Sequence, residues 1–206
     1  MRHFELGQNS LEVCQSIISD NPIIEQIKLI AHVVRVNWRQ VYDSPQKQAS
    51  ALLDGLKHEN PLFSKDYNRG DFLKLSLDTL PFLEQNQVWS MTSKVLCYNR
   101  EYKHIPMMNF HPEGNVSIED IILAVNFITK NKRGILLNSG RYTHYYGDFL
   151  LDESEWPGFL GEFLAPCILV SPRYISHRLH HGYCSLRLTA DFEFKPKIPD
   201  VIHLLP

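Results

Sequence analysis

Apolar positions recur at helical intervals near the start of the chain. Leu11, Cys14, Ile17 and Ile18 follow Asn9 and Glu12, which have the spacing of a capping box. This predicts a first helix ending near Asn21-Pro22. Beyond it, Ile23, Ile27, Ile30, Val34, Trp38 and Val41 keep a helical spacing and predict a second helix, with the β-branched content of IAHVVRV leaving a strand as the alternative. A third helix is expected over residues 45–57, with Ala49, Leu52, Leu53 and Leu56 on one side before the breaker Asn60-Pro61. The polar, turn-rich stretch 60–71 then reads as the boundary between an N-terminal helical lobe, residues 1–71, and a second domain, residues 72–206.

The pattern changes in that second part. Residues 88–98 and 103–110 read as strands around the turn Asn99-Arg100-Glu101. Ser117 and Asp120 have capping-box spacing ahead of a stripe of Ile118, Ile121, Ile122, Val125 and Ile128, which predicts a helix over 117–130. Strands are expected at 134–138 and 142–146, then a helix with Trp156, Phe159, Leu160, Phe163 and Leu164 on one face, then short strands at 168–170, 183–189 and 201–205. This order suits an α+β sheet with helices on one face, of the RNA-recognition-motif (RRM) kind.

Composition narrows the classes of function. Apolar residues at 44% and charged residues at 21% are globular values and argue against wholesale disorder. The formal charge of −2 provides no overall basic field, so any nucleic-acid binding has to use a local cluster. Cys14, Cys97, Cys167 and Cys184 are scattered without a Cys-x-x-Cys pair, which argues against a zinc ribbon or a disulfide framework and for a reducing cytoplasm. The stretch MRHFELGQNS has no apolar signal region, and no run approaches the ~18 apolar residues of a membrane span, so no membrane association is expected. A Walker loop and a Gly-x-Ser-x-Gly elbow are both missing, and Gly134, Gly140 and Gly147 lie too far apart for a dinucleotide fingerprint.

Two stretches carry candidate chemistry. In GILLNSGRYTHYYG, residues 134–147, an apolar run stops at Ser-Gly-Arg and an aromatic strand centred on His144 follows. Ser139, Arg141 and His144 are thereby gathered around one glycine, where backbone amides and a guanidinium can meet an anion. The plain alternative is a tight hairpin with a surface arginine and a hydrogen-bonded histidine. In RYISHRLHHGYCSLR, residues 173–187, Arg173, His177, Arg178, His180, His181 and Arg187 stand beside Tyr174 and Tyr183, cations and stacking surfaces suited to phosphates and bases. A helix end followed by a buried strand with snorkelling arginines explains the same residues. His177 and His181 share a helix face, but no glutamate follows the first histidine and Gly182 ends the helix, which argues against a zinc-protease site.

At the Ser-Gly-Arg corner the chain resembles the archaeo-eukaryotic primase superfamily, the primase-polymerase group, whose second motif is a Ser-x-His-type strand often preceded by Ser-Gly-Arg. The likeness extends over about residues 87–190 and implies an RRM-like palm sheet. It implies that His144 and Arg141, with Ser139, contact the phosphates of a nucleotide, and that His177, Arg178, Arg173 and Arg187 complete the pocket. Polymerase chemistry uses two divalent cations ~3.5–4 Å apart held by carboxylates. Where the family carries its first pair of carboxylates this chain has Asn109 and His111, and where it carries the third it has Ser171-Pro172. Asparagine is a poorer Mg²⁺ ligand than a carboxylate, and histidine prefers softer metals.

The resemblance therefore implies a degenerate primase-like protein. It would bind a nucleotide or nucleic-acid end without efficient polymerisation and without a cofactor, inside a larger assembly with a protein partner, for example a mobile-element or antiviral system. Two alternatives stay open. One is an active nucleotidyltransferase or nuclease with catalytic candidates His111, Glu113 and His144 and a remodelled Mg or Mn site at Asn109, His111 and Glu113. The other is a non-catalytic scaffold whose N-terminal lobe docks a partner.

Overall fold

The computed structural model describes residues 4–34, 61–112, 114–191 and 193–206. The expected helix at 45–57 and the candidate Glu113 lie outside the described residues.

The first helix, α1, spans Ser10–Asp20 and has the expected capping box. The Asn9 side chain accepts from the Glu12 amide at 3.1 Å, and the Glu12 carboxylate accepts from the Asn9 amide at 2.9 Å. Leu11, Cys14, Ile17 and Ile18 are buried, and Asn21 ends the helix by donating its side-chain amide to the Ile17 carbonyl at 2.8 Å.

The segment after Pro22 corrects the helical expectation. It forms strand β1, Ile24–Val33, lying between β2, Phe63–Asn68, on one side and β3, Gln87–Cys97, on the other. Register shifts between Ile24 and Gln26 and between Ile27 and Leu29 break the period of two. Ile24, Ile27 and Ile30 are consequently all buried at a spacing of three, which imitates a helix in the sequence. Strand β2 replaces the expected linker. It is an edge strand with only Tyr67 buried, so its outer positions are polar and look like a turn. A single helical turn, α2, Arg69–Phe72, follows it. Residues on both sides of the boundary expected at 71/72 thus pair within one sheet.

That first sheet runs β2-β1-β3-β4-β8, with β4 at Tyr102–His104 and β8 at Leu151–Asp152, and β9, Ser185–Arg187, also pairs with β3. The long β3 holds β1 along one side. On its other side it takes β9 at Ser90–Thr92 and then β4 at Lys94–Leu96. The strand expected over 103–110 is divided at Ile105-Pro106, and its second half, β5, Met107–Phe110, joins a different sheet. Proline has no N–H to give to a ladder, which suits the break.

The second sheet has the order β10-β6-β7-β5, with β6 at Gly134–Asn138, β7 at Thr143–Gly147 and β10 at Asp200–Leu205. Strands β5 and β6 both run antiparallel to β7 and are joined through α3, Ile118–Thr129, which makes a split βαβ unit. The capping box of α3 is formed by Ser117 and Asp120, but only Ile121 and Val125 of its expected stripe are fully buried. Helix α4, Trp156–Leu164, buries Trp156, Phe159, Leu160 and Phe163 as its spacing predicts. Residues 168–170 form bends instead of a strand and lead to Ser171, the N-cap of α5, Pro172–His181. Both sheets share one apolar core, from Leu11 and Ile27 through Trp89 to Tyr145, Phe163 and Leu205. The mixed helices and antiparallel sheets make this an α+β fold, and no helix among the described residues is long and apolar enough to cross a membrane.

Close approach accounts for a pair of glycines. Gly134 and Gly147 face each other across β6 and β7. A Cβ at Gly134 would lie 2.5 Å from Cε2 of Tyr145, and one at Gly147 would lie 2.8 Å from the Phe149 ring and 2.9 Å from Pro106.

A candidate nucleotide-binding cleft between the sheets

The turn joining β6 to β7 serves its own geometry. The amide and the hydroxyl of Ser139 both donate to the Tyr142 carbonyl, at 2.9 and 2.8 Å, and the Gly140 amide donates to the Asn138 side chain at 2.8 Å. Gly140 has φ +101°, which a side chain would strain. The amides and hydroxyl that a Ser-Gly-Arg corner would aim at an anion are therefore engaged within the turn. Arg141 is exposed, with its guanidinium 5.4 Å from the centre of the Tyr142 ring.

Behind this turn a cavity of about 260 Å³ opens between the sheets. Asn109, Ser139, Tyr142 and His144 line it from the second sheet and its turn. His32, Ser90, Ser185 and Arg187 line it from the first, and Lys195 from the segment that follows β9. Four of the residues singled out in the sequence, Asn109, Ser139, His144 and Arg187, thus meet in one place.

His144 sits on β7 directly across from Asn109 on β5 and is 4% exposed. Burial, and then the positive fields of Arg187, His111 and Lys195, push its pKa down to about 3, so the ring is neutral near pH 7. Its Nδ1 and the Oδ1 of Asn109 are buried and have no hydrogen-bond partner. Such atoms occur elsewhere in the fold as well, so these two mark the cleft only in combination with its cavity and its charged groups.

Arg187 supplies the charge. It is 7% exposed and donates to three carbonyls: Thr189 at 2.5 Å, Lys197 at 2.6 Å and Ser139 at 2.8 Å. The last of these bonds ties β9 of the first sheet to the β6–β7 turn of the second. Among the described residues no carboxylate lies within ion-pair distance of this guanidinium. Burial pushes its pKa down to about 10, so it remains charged at neutral pH. Burial, followed by Arg187 and Arg141, lowers Lys195 as well, and its ammonium lies 5.3 Å from the centre of the Tyr142 ring. His32, brought in by β1, is held down to about 4 by burial and by Arg178 and Arg187. At His144, His32 and Lys195 the neighbours act as positive charges, while Asp191 acts on Arg187 in the opposite sense. The cleft concentrates positive potential.

The remaining candidates lie around this cleft. His111 packs on Tyr142 with ring centroids 3.9 Å apart. Its Nδ1 is 3.0 Å from the Asn109 carbonyl and its Nε2 is 3.4 Å from the Asn109 side-chain nitrogen, so one tautomer, protonated at Nδ1, satisfies both contacts. On α5, Arg173 Nε donates to His177 Nε2 at 3.2 Å. Arg178 lies over Tyr174 and donates to Ser185 Oγ at 3.0 Å, which puts it at the edge of the cleft. Sequence reading did not single out His32, Ser90, Tyr142, Ser185 or Lys195. His32 was hidden by the helical reading of β1, and Lys195 follows a short strand with no periodic signal.

A pair of divalent cations does not fit this donor set. Among the described residues the cleft lining contains no carboxylate, Ser171 caps a helix instead of lining the cavity, and no group of three or more metal-binding side chains occurs. Asp191 and Glu193, the acidic residues that follow β9, do not line the cleft. Asp191 accepts from the amides of Asn86 and Phe194, and Glu193 accepts from the Gln85 side chain.

No curated protein and no solved structure matches this chain. A family model described as archaeo-eukaryotic primase 1D-like matches residues 72–200, more than half of the chain and most of the cleft, and the chain belongs to that AEP-like primase family.

Proposed function

We propose that this primase-like protein binds a nucleotide or the end of a nucleic acid in the cleft between its sheets, without efficient polymerisation. The observation that carries this reading is the buried Arg187, a cation that lines the cleft without a carboxylate partner and stands beside an unpartnered His144 Nδ1. A buried guanidinium with no carboxylate in ion-pair contact favours an anionic ligand. In this reading the sheet β10-β6-β7-β5 is the counterpart of the primase-polymerase palm, His144 and Asn109 bond the ligand, and Arg187 and Lys195 hold its phosphates. Arg178, with Arg173 and His177 behind it, extends the basic surface toward a longer strand, and Arg141 adds to the field from the turn.

The protein acts within a larger assembly, a mobile-element or antiviral system being the context implied by the family resemblance. Leu123 and Phe127, 71% and 84% exposed one turn apart on α3, are the described residues that favour a protein partner. The four free thiols fit a reducing compartment.

The test is binding of labelled nucleoside triphosphates and of short DNA and RNA oligomers to the whole chain and to His144→Ala and Arg141→Ala variants. His144→Ala is expected to lose most binding, and Arg141→Ala to weaken it less because that side chain is exposed. Turnover of nucleotide into longer product, or undiminished binding by His144→Ala, would overturn the reading.

A further inference from the structure

We infer that the cleft takes the phosphate groups of its ligand as a bare polyanion, neutralised by Arg187 and Lys195 and not by a bound divalent cation. This rests on the nucleotide-binding reading above and adds to it the chemical form in which the ligand is held.

The argument is one of charge and donor type. A magnesium ion that bridges phosphates is ordinarily anchored to the protein by one or two carboxylates, with water completing its octahedron. Among the described residues the lining of this cleft has none, and its nearest equivalents are the amide of Asn109 and imidazoles. What it has is two cations. Arg187 is fixed by three carbonyls, so its position is set before any ligand arrives. Lys195 stands over Tyr142 at the same cavity, and the positive fields of Arg187 and Arg141 reach it. A divalent cation brought in beside these groups, with no carboxylate to offset it, would be repelled by both. A phosphate oxygen brought there gains charge-assisted bonds, which are roughly twice as strong as neutral ones.

Asn109 and His144 support the same assignment. The Asn109 side-chain oxygen, Oδ1, is buried without a donor, and the His111 ring that flanks it is already bonded back to Asn109 at both nitrogens. A ligand hydroxyl or N–H that reached this oxygen would satisfy it, while the cations meet the phosphates. Because the metal-free triphosphate carries more negative charge than its magnesium complex, the cleft should prefer the former.

The consequence runs opposite to that for a metal-bridged nucleotide site. Binding of a fluorescent nucleoside triphosphate, and of inorganic tripolyphosphate as competitor, is measured on the whole chain in excess chelator and again with added Mg²⁺ or Mn²⁺. Full binding is expected in chelator, with loss of affinity as metal is added. Lys195→Gln is expected to cost roughly tenfold to a hundredfold in affinity, the worth of a charge-assisted bond. Asn109→Asp is expected to weaken binding in chelator by like-charge repulsion. Arg187→Gln tests the second cation if the variant folds. Lys195, half-buried and outside the sheets, keeps the test valid if it does not.

Saturable binding that appears only when metal is added would overturn this inference and leave the nucleotide-binding reading standing. Binding in chelator that Lys195→Gln and Asn109→Asp leave unchanged would overturn the assignment to this cleft. Failure to bind in either condition would overturn both.

Discussion

The two walls of the cleft are built from different kinds of residue. The wall from the second sheet, Asn109, Ser139 and His144, is neutral: an amide, a hydroxyl already used by its turn, and an imidazole that burial keeps unprotonated. The wall from the first sheet and the segment after it carries the charge, in Arg187 and Lys195. In a polymerase of this superfamily the charge balance would be set by acidic residues gripping cations, whereas the described lining of this cleft carries an arginine and a lysine. One wall can orient a ligand and the other can attract it, and Arg187 physically joins the two through the Ser139 carbonyl.

Breaking that joint should have the largest effect. Arg187→Ala leaves the carbonyls of Ser139, Thr189 and Lys197 without their donor, and a loss of about 3–5 kcal/mol is expected, measured by urea denaturation. Next comes packing within the neutral wall. Gly134→Ala drives a methyl into the Tyr145 ring and should cost about 1–3 kcal/mol in the same assay, without changing any charge in the cleft. A cost near zero would mean that the β6–β7 pair yields easily.

Acid sharpens the comparison, because both walls hold a suppressed histidine. His144 is pushed down to about 3 and His32 to about 4, from the ordinary 6.5, and His104, stacked on Trp156 away from the cleft, is likewise pushed down to about 4. Below about pH 6.5 the unfolded chain takes up protons that the folded chain refuses. Stability is therefore full above that pH, falls as pH drops toward 4 and levels off near 3. Each histidine contributes up to about 1.4 kcal/mol per pH unit in that window. Asp148, raised to about 6 by burial, works the other way between 6 and 3.8, but as a single group it only moderates the fall. Thermal midpoints measured from pH 7.5 to 5 check the slope, and a flat profile would contradict the burial of these rings. The smallest effect belongs to Ser117→Ala, which removes half of a capping box far from both walls. It should cost about 1 kcal/mol of stability and nothing in ligand affinity.

How much of this was legible in the sequence follows the same division. In the neutral wall, Ser139 and His144 lie on a hairpin where glycine and a local motif coincide and could be picked out together, whereas Asn109 was singled out only by its place in the primase likeness. Helices α1, α3 and α4 were legible for the same reason: caps and stripes are local. Strand β1 was not, because two register shifts gave its isoleucines the spacing of a helix, and β2 was not, because an edge strand needs few apolar positions. His32 was lost with β1. Arg187 was noticed for its type, but its three carbonyl partners come from separate segments that no spacing reveals, and nothing in the sequence near Lys195 announced that it faces Tyr142.

The wide sequence separation of the cleft residues, from His32 to Lys195, also governs when the cleft comes into being. A hairpin such as β6–β7 closes in about 1–10 μs. Bringing β1, β5 and β9 to it demands closure of long loops, which is slow and completed late. The folding chain therefore presents Ser139 and His144 before Asn109 and the charged residues join them. No partly folded form can hold the ligand firmly, so a ligand that fills the cleft acts on the finished fold alone and raises its melting temperature in proportion to how tightly it binds.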